Sequence, residues 1–285
     1  MEKVRMVLEG GSFRGLYTAG VLDVLMENNI NIDEIVGVSA GALFGVNYFS
    51  NQKGRVIRYN KKYCNDKRYM SLKSLILTGN YINKDFAFYK ITKELDVFDN
   101  EAFKKSKKNF YAVVTNVETG KPEYIKIESP IDDLEVLRAT SAIPLASKII
   151  KINNKKYLDG GISDSIPVYF NKDKYKKNII VLTRPLDYKK YPLSKFKERL
   201  IKFKFKKYPN LLNTMFNRHN AYNKTLEDIK EMETKGEVFV IRPSKPLNIK
   251  LNENNPEKLQ EIYDLGVENC KKIIKKLKKY LEEWF

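Results

Sequence analysis

The chain has 285 residues, of which 42% are hydrophobic, and this excludes a disordered or fibrous protein because a sizeable core can form. It has no apolar run long enough to cross a bilayer and no N-terminal secretory signal, so we expect a cytoplasmic protein. The formal charge of +18 suits an anionic membrane surface or nucleic acid as partner, or lysines that only solvate the surface.

The first half of the chain alternates short apolar runs with segments of helical periodicity, which predicts a mainly parallel sheet covered by helices. A strand is predicted at Val4–Leu8, followed by a helix over residues 16–26, a strand over 35–38 and a helix over Ala40–Phe49. Residues 52–109 are rich in Lys and Asn, and we expect helices and long loops there. Further strands are predicted at residues 110–117, 123–127, 149–152, 156–158, 179–183 and 238–241.

Residues 186–236 lie between the last two predicted strands and form a basic, aromatic-rich insert that we expect to be helical. Pro256 then begins a long amphipathic helix, whose apolar face includes Trp284 and is expected to pack on the core. We therefore divide the chain into a core over residues 3–185, the insert, and a final strand and helix over residues 237–285.

A serine stands between two glycines where the second predicted strand ends and the next helix begins. Gly37 and Gly41 flank Ser39 and permit a sharp, strained turn that exposes the serine hydroxyl above the sheet. The N-terminus of the following helix favours negative charge at this point. The pattern alone is weakly specific, but its position between a strand and a helix makes Ser39 a candidate nucleophile.

A glycine-rich loop follows the first predicted strand and opens the first helix. Its residues are Gly10, Gly11, Ser12, Phe13, Arg14 and Gly15. Backbone N–H groups in such a loop can converge on an anion. The spacing matches neither a dinucleotide-binding loop nor a Walker loop, so an oxyanion hole is the better interpretation.

An activated serine needs a base, which is usually a histidine oriented by a carboxylate. The chain has one histidine, His219, which lies in the insert. Asp159 is the alternative, because it ends a predicted strand and is followed by Gly160 and Gly161. These glycines give the backbone freedom to place the carboxylate in a crevice at the edge of the sheet, although Asp-Gly-Gly alone is also an ordinary turn.

In this order and context, the three motifs resemble those of the patatin-like phospholipases, and most closely the compact bacterial members. Residues 141–144 and 163–167 also resemble the family, and the resemblance covers residues 3–185. It implies a three-layer α/β/α fold with a mainly parallel central sheet. It further implies a Ser–Asp dyad without metal or other cofactor, and a lipid or acyl ester as substrate.

By position in the motifs, the resemblance implies Ser39 as the nucleophile and Asp159 as the general base. Arg14 matches a basic position that orders the loop or favours a phosphate head group. Two residues depart from the family pattern, since Ser12 stands where glycine is usual and Gly161 where alanine is frequent. The amides implied for the oxyanion hole are those of Gly11, Ser12 and Phe13.

Two alternatives stay open at this point. An ordinary α/β-hydrolase would use Ser39, Asp164 and His219, which occur in the right chain order. In that fold, however, the sharp turn that carries the nucleophilic serine would follow more than two strands. A basic protein without catalytic activity would bind lipid or membranes. No RNA-binding module is recognisable, and we expect no nucleic-acid partner.

The insert also predicts peripheral contact with an anionic membrane, because lysines alternate with aromatic residues over residues 202–208. The same aromatic residues could instead belong to the core or to a lid over an acyl groove. Nothing in the sequence predicts an oligomeric state.

Overall fold

A computed structural model describes residues 2–282, which fold around an eight-stranded mixed sheet. The strands are β1 (Val4–Leu8), β2 (Glu34–Val38), β3 (Asn109–Asn116), β4 (Pro122–Lys126), β5 (Ile150–Ile152), β6 (Lys155–Asp159), β7 (Lys177–Val181) and β8 (Phe239–Ile241). The hydrogen-bonded neighbours follow the path β5-β6-β3-β2-β1-β7-β8, and β4 also pairs with β3. Strands β3, β2, β1, β7 and β8 are parallel, whereas β4, β5 and β6 join in antiparallel orientation. The predicted mainly parallel sheet is therefore confirmed.

Helices cover both faces of this sheet. They are α1 (Gly15–Glu27), α2 (Ala40–Phe49), α3 (Arg55–Tyr63), α4 (Leu72–Thr78), α5 (Asn100–Ser106), α6 (Leu134–Thr140), α7 (Lys195–Lys204), α8 (Pro209–Thr234) and α9 (Pro256–Glu282), with a π-helical segment at Asp85–Leu95. Successive strand residues point to opposite faces. Met6 and Leu8 of β1 therefore pack in one apolar cluster with residues of α1, α2 and α9, whereas Val7 packs with residues of α8. This is the three-layer α/β/α arrangement that the sequence predicts.

The predicted elements agree with the structure except at α6 and at some boundaries. Helix α6 is missing from the sequence-based expectations because its seven residues make only about two turns, too few for a clear period. Strand β7 ends at Val181, two residues before the predicted end. Within residues 2–282, none of the helices combines the length and the apolar character needed to cross a membrane.

Helix α9 lies directly against α1, because each helix carries a glycine at the contact. A Cβ at Gly20 would lie 2.2 Å from the carbonyl oxygen of Tyr263, and a Cβ at Gly266 would lie 2.1 Å from that of Tyr17. No larger residue fits at these two positions, so the glycines set the distance between the helices. Trp284, placed on the apolar face of this helix by its sequence period, lies outside the described residues.

Candidate active site

Strands β2 and β6 meet end to end along one edge of β3. Strand β4 occupies the other edge over residues 111–115. Strand β2 pairs with β3 up to Val113, and β6 pairs with β3 from Val114 onward. Both therefore lie on the edge of β3 that β4 leaves open. Ser39 follows the last residue of β2, and Asp159 is the last residue of β6. This topology brings together two side chains that are far apart in the sequence.

Ser39 has a backbone conformation that non-glycine residues rarely adopt, with φ 53° and ψ −122°. Such a conformation costs about 1–3 kcal/mol and is retained only where the surroundings enforce it. Both neighbouring glycines are required by close contacts. A Cβ at Gly37 would lie 2.7 Å from the nitrogen of Ala42, and a Cβ at Gly41 would lie 2.6 Å from the carbonyl oxygen of Leu8.

Thr140, at the end of α6, fixes this turn to the sheet. Its hydroxyl oxygen accepts a hydrogen bond from the Ser39 N–H (2.9 Å) and donates one to the carbonyl oxygen of Val113 (2.5 Å). Thr140 is not recognisable as a site residue in the sequence, where the only signal for it is its position directly before the family-like stretch at residues 141–144. Its role depends on a helix that the sequence pattern does not reveal.

Asp159 is held beside Ser39 in a site from which water is largely excluded. The two residues are 8% and 7% exposed, and the Ser39 hydroxyl is close enough to the Asp159 carboxyl to act on its pKa. The Gly161 N–H donates to Asp159 Oδ1 (2.7 Å), and the Thr115 hydroxyl donates to the Asp159 carbonyl oxygen (2.8 Å). Burial raises the pKa of Asp159 above its ordinary value, although Ser39, Gly161 and Arg218 each act to lower it.

The glycine-rich loop lies against this pair. A Cβ at Gly10 would be 3.2 Å from Ser39 Cβ, so the missing side chain lets the loop approach the serine. Ser12 adopts a positive φ of 48°, a conformation that glycine adopts without strain. Among the described residues, no protein acceptor receives a hydrogen bond from the N–H groups of Gly11, Ser12 and Phe13.

Ser39, Ser12 and Phe13 line one end of a groove of about 1170 Å³, part of which is open to solvent. The walls are mainly apolar and come from α2, α3, α6 and the π-helical segment. Representative wall residues are Leu43, Phe44, Tyr59, Phe88, Ile91 and Leu137. The apolar lining of the groove is typical of a ligand-binding cleft.

A group of cations lies around the buried Glu9, which directly precedes the glycine-rich loop. Glu9 is already occupied, because it accepts hydrogen bonds from the Tyr222 hydroxyl and the Thr183 N–H, both at 2.6 Å. Burial, together with Arg218 and other cations, lowers the pKa of Lys190 to about 8. The side chains that interact here are those of Arg14, Arg184, Lys190 and Arg218. They provide more positive charge than Glu9 and Asp159 neutralise.

The residues of the alternative triad are engaged elsewhere. His219 Nδ1 lies 3.0 Å from the carbonyl oxygen of Phe216 in its own helix, and Asp164 accepts a hydrogen bond from the Tyr124 hydroxyl (2.8 Å). In the described part of the chain, neither residue is hydrogen-bonded to Ser39. A search of residues 2–282 found no group of three His, Cys, Asp or Glu side chains suited to a metal ion.

Comparison with known proteins supports the assignment of the fold to a family. The model of the patatin-like phospholipases matches residues 6–172, and a domain of unknown function, DUF6363, matches residues 208–282. The chain is 29% identical over 269 residues to the uncharacterized protein YjjU of Escherichia coli K12, covering 93% of this chain and 75% of that protein. It is 27% identical over 203 residues to the probable lipid hydrolase 463L of invertebrate iridescent virus 6, covering 62% and 69%.

Among solved structures, the chain is similar to VipD from Legionella pneumophila, with a TM-score of 0.45, 12% identity and coverage of 96% of this chain and 67% of VipD. The family model extends over more than half of the sequence and includes all three motifs, from the glycine-rich loop to Asp159. The chain therefore belongs to the patatin-like phospholipase family, a family of lipid hydrolases.

Proposed function

We propose that the protein is a serine lipid acyl hydrolase of the phospholipase A or lysophospholipase type, with Ser39 as nucleophile and Asp159 as general base. The observation that carries the proposal is that these two side chains are buried next to each other, with Ser39 lining an apolar groove. Membership of the patatin-like phospholipases and the name of the viral relative both support a lipid substrate.

Acyl transfer to the enzyme is the first half of the reaction. The Asp159 carboxylate takes the proton of the Ser39 hydroxyl while the serine oxygen attacks the ester carbonyl carbon. The carbonyl oxygen becomes an oxyanion, which the amides of Gly11, Ser12 and Phe13 stabilise, each comparable donor being worth on the order of 3 kcal/mol. Asp159 then gives the proton to the leaving alcohol, and the acyl group remains on Ser39.

Hydrolysis of the acyl-enzyme is the second half. Asp159 takes a proton from a water molecule as the water oxygen attacks the acyl carbon. The proton passes to the serine oxygen when the intermediate collapses, which restores the Ser39 hydroxyl and releases the fatty acid. A carboxylate is a weak base, and the raised pKa of the buried Asp159 brings it closer to the operating pH.

The cations around Glu9 favour a substrate with an anionic head group over a neutral glyceride. They lie beside the glycine-rich loop and interact with Asp159 through Arg218, so negative charge near the scissile ester is attracted to them. The apolar groove would take the acyl chain. Together these features suit a phospholipid or lysophospholipid.

The proposal is tested with a fluorophosphonate probe, which labels activated serines, and with fatty-acid release from phosphatidylglycerol. We expect labelling of the wild-type protein at Ser39, and loss of both labelling and release in Ser39→Ala. His219→Ala is the control and is expected to behave as the wild type. Labelling that persists in Ser39→Ala would show that another residue is the nucleophile.

A further inference from the structure

Helix α4 turns its apolar side chains away from the protein. Leu72, Ile76 and Leu77 are between 69% and 82% exposed, whereas the buried residue of the helix is Ser74. The helix is nevertheless well formed. Ser71 caps its N-terminus by accepting a hydrogen bond from the Ser74 N–H, and a left-handed glycine ends it. A folded helix with its leucines outside has a surface suited to another partner.

Helix α7 has an apolar stripe of the same kind. Phe196, Leu200 and Phe203 follow each other at intervals of four and three residues, which places them on one side of the helix, and all three are exposed. Ile201 and, just after the helix, Phe205 occupy the opposite side and are buried in a core cluster. Of the aromatic residues predicted to reach a membrane, Phe203 is therefore available and Phe205 is not.

The two helices meet at one short segment beside the groove. The Tyr81 N–H, just after α4, donates to the carbonyl oxygen of Ala146 (2.8 Å), and Lys204 of α7 donates to that of Ser147 (3.3 Å). Tyr81, Ala146 and Ser147 also line the groove that begins at Ser39. Both helices are thus connected by hydrogen bonds to a segment that lines the groove. We call these six side chains the rim: Leu72, Ile76, Leu77, Phe196, Leu200 and Phe203.

The charges around the rim identify the partner. Residues 71–81 and 194–208 contain eight Lys or Arg and a single acidic residue, Glu198. Cations that surround exposed Leu, Ile and Phe are the pattern of a surface that enters the interface of an anionic bilayer, where the apolar groups reach the acyl region and the cations meet head groups. A neutral or cationic partner would not be attracted electrostatically to these lysines and arginines.

We propose that the rim docks the protein on bilayers that contain anionic lipid, so that an acyl chain passes from the bilayer into the groove. The docking step is independent of catalysis, whereas its use in lipid hydrolysis rests on the proposed function. Docking is therefore measured with the full chain carrying Ser39→Ala, in which no substrate is consumed. Failure of docking and failure of the proposed hydrolase are then separate results.

The test is sedimentation with vesicles of phosphatidylcholine alone or mixed with phosphatidylglycerol, over a series of salt concentrations. We expect binding to the mixed vesicles that weakens as salt rises, because the attraction between surface charges is screened. Replacing two rim residues, Ile76→Ser with Phe203→Ser, is expected to weaken binding by about tenfold or more, since two exposed apolar side chains no longer enter the bilayer. Thermal unfolding verifies that the variant is folded.

Matched controls come from the opposite end of the sheet. Tyr169 is 61% exposed and lies near the start of β1. Its two sequence neighbours, Val168 and Phe170, accept hydrogen bonds from Arg5 of β1 through their carbonyl oxygens. Tyr169→Ser is expected to leave vesicle binding unchanged. For charge, Lys202→Gln with Lys207→Gln should weaken binding, and Lys174→Gln with Lys176→Gln should not.

Three results would overturn the proposal. The first is binding that ignores both lipid charge and salt. The second is an equal effect of the rim and control substitutions. The third is a rim variant that binds vesicles as before but changes the oligomeric state, because the rim would then be a contact between copies of this chain.

Discussion

The proposed catalytic site and the rim are built in opposite ways. At the catalytic end, Ser39 and Asp159 are buried, and backbone contacts leave no room for a side chain at Gly37 or Gly41. At the rim, Ile76 and Phe203 extend into solvent, although both are large and apolar. Acyl transfer needs fixed, desolvated groups, whereas access to a lipid needs apolar surface that the protein itself does not cover.

The largest expected effect tests the catalytic end. Asp159→Asn keeps the shape of the side chain but removes the base, so we expect the turnover of a soluble short-chain ester to fall on the order of 10³-fold or more. His219→Ala should stay close to the wild-type rate. Steady-state kinetics on both variants decides the point, and the reverse pattern would favour a histidine-dependent triad.

The second largest effect is expected from substitution of the two glycines that follow Asp159. A Cβ at Gly160 would lie 2.2 Å from the backbone carbonyl oxygen of Val113, whereas a Cβ at Gly161 would meet only side-chain atoms, at 3.0 Å or more. We expect Gly160→Ala to lower the free energy of unfolding by about 2–3 kcal/mol or more, and Gly161→Ala by less than about 1 kcal/mol. Urea unfolding measures both. Equal losses at the two positions would show that close packing at Gly160 is not what restricts this turn.

A smaller effect is expected from the cations around Glu9. Lys190→Gln should raise KM several-fold for an anionic lysophospholipid and leave it nearly unchanged for a neutral short-chain ester. Because the pKa of Lys190 is lowered to about 8, the preference of the wild-type protein for the anionic substrate should also decline as the pH rises through this value. If Lys190→Gln keeps the wild-type preference for the anionic substrate, these cations do not take part in substrate binding.

The smallest effect is a shift of the pH–rate profile. The charge of Arg218 lowers the pKa of Asp159, so its removal in Arg218→Gln should raise that pKa further. The base must be deprotonated to act, and the acid limb of kcat/KM should therefore move to higher pH, by about one unit or less. A limb that moves to lower pH, or does not move, would contradict the assignment of Asp159 as the titrating base.

Much of the region around Ser39 could be predicted from the sequence, because short stretches of consecutive residues determine its strands, helices and turns. Val4–Leu8 and Ala40–Phe49 are continuous apolar or small-residue runs next to glycines, and the structure has both with the predicted bounds. The resemblance of the three motifs to those of the patatin-like phospholipases also implied that Ser39 and Asp159 would lie together. The rest depends on tertiary packing. Arg184, which shares no local motif with the other cations around Glu9, is one example.

The rim shows more clearly which structural features could not be predicted from the sequence. The LKSLILT sequence of α4 has the composition of a core helix, and only the structure reveals that Ser74 faces inward while Leu72, Ile76 and Leu77 face solvent. In the same way, nothing in the alternation of lysine and phenylalanine distinguishes the exposed Phe203 from the buried Phe205. Periodicity defines the faces of a helix but not which face meets the core.

The central claim, acyl transfer to Ser39 with Asp159 as base, is tested most directly by trapping the acyl-enzyme. The protein is mixed with a phosphatidylglycerol that carries a deuterated acyl chain, quenched in acid within one turnover, and digested for peptide mass spectrometry. We predict the deuterated acyl mass on the peptide that contains Ser39 in the wild type and in His219→Ala, and its absence in Asp159→Asn. An acyl group on any other residue, or on Ser39 in Asp159→Asn at the wild-type rate, would contradict the claim.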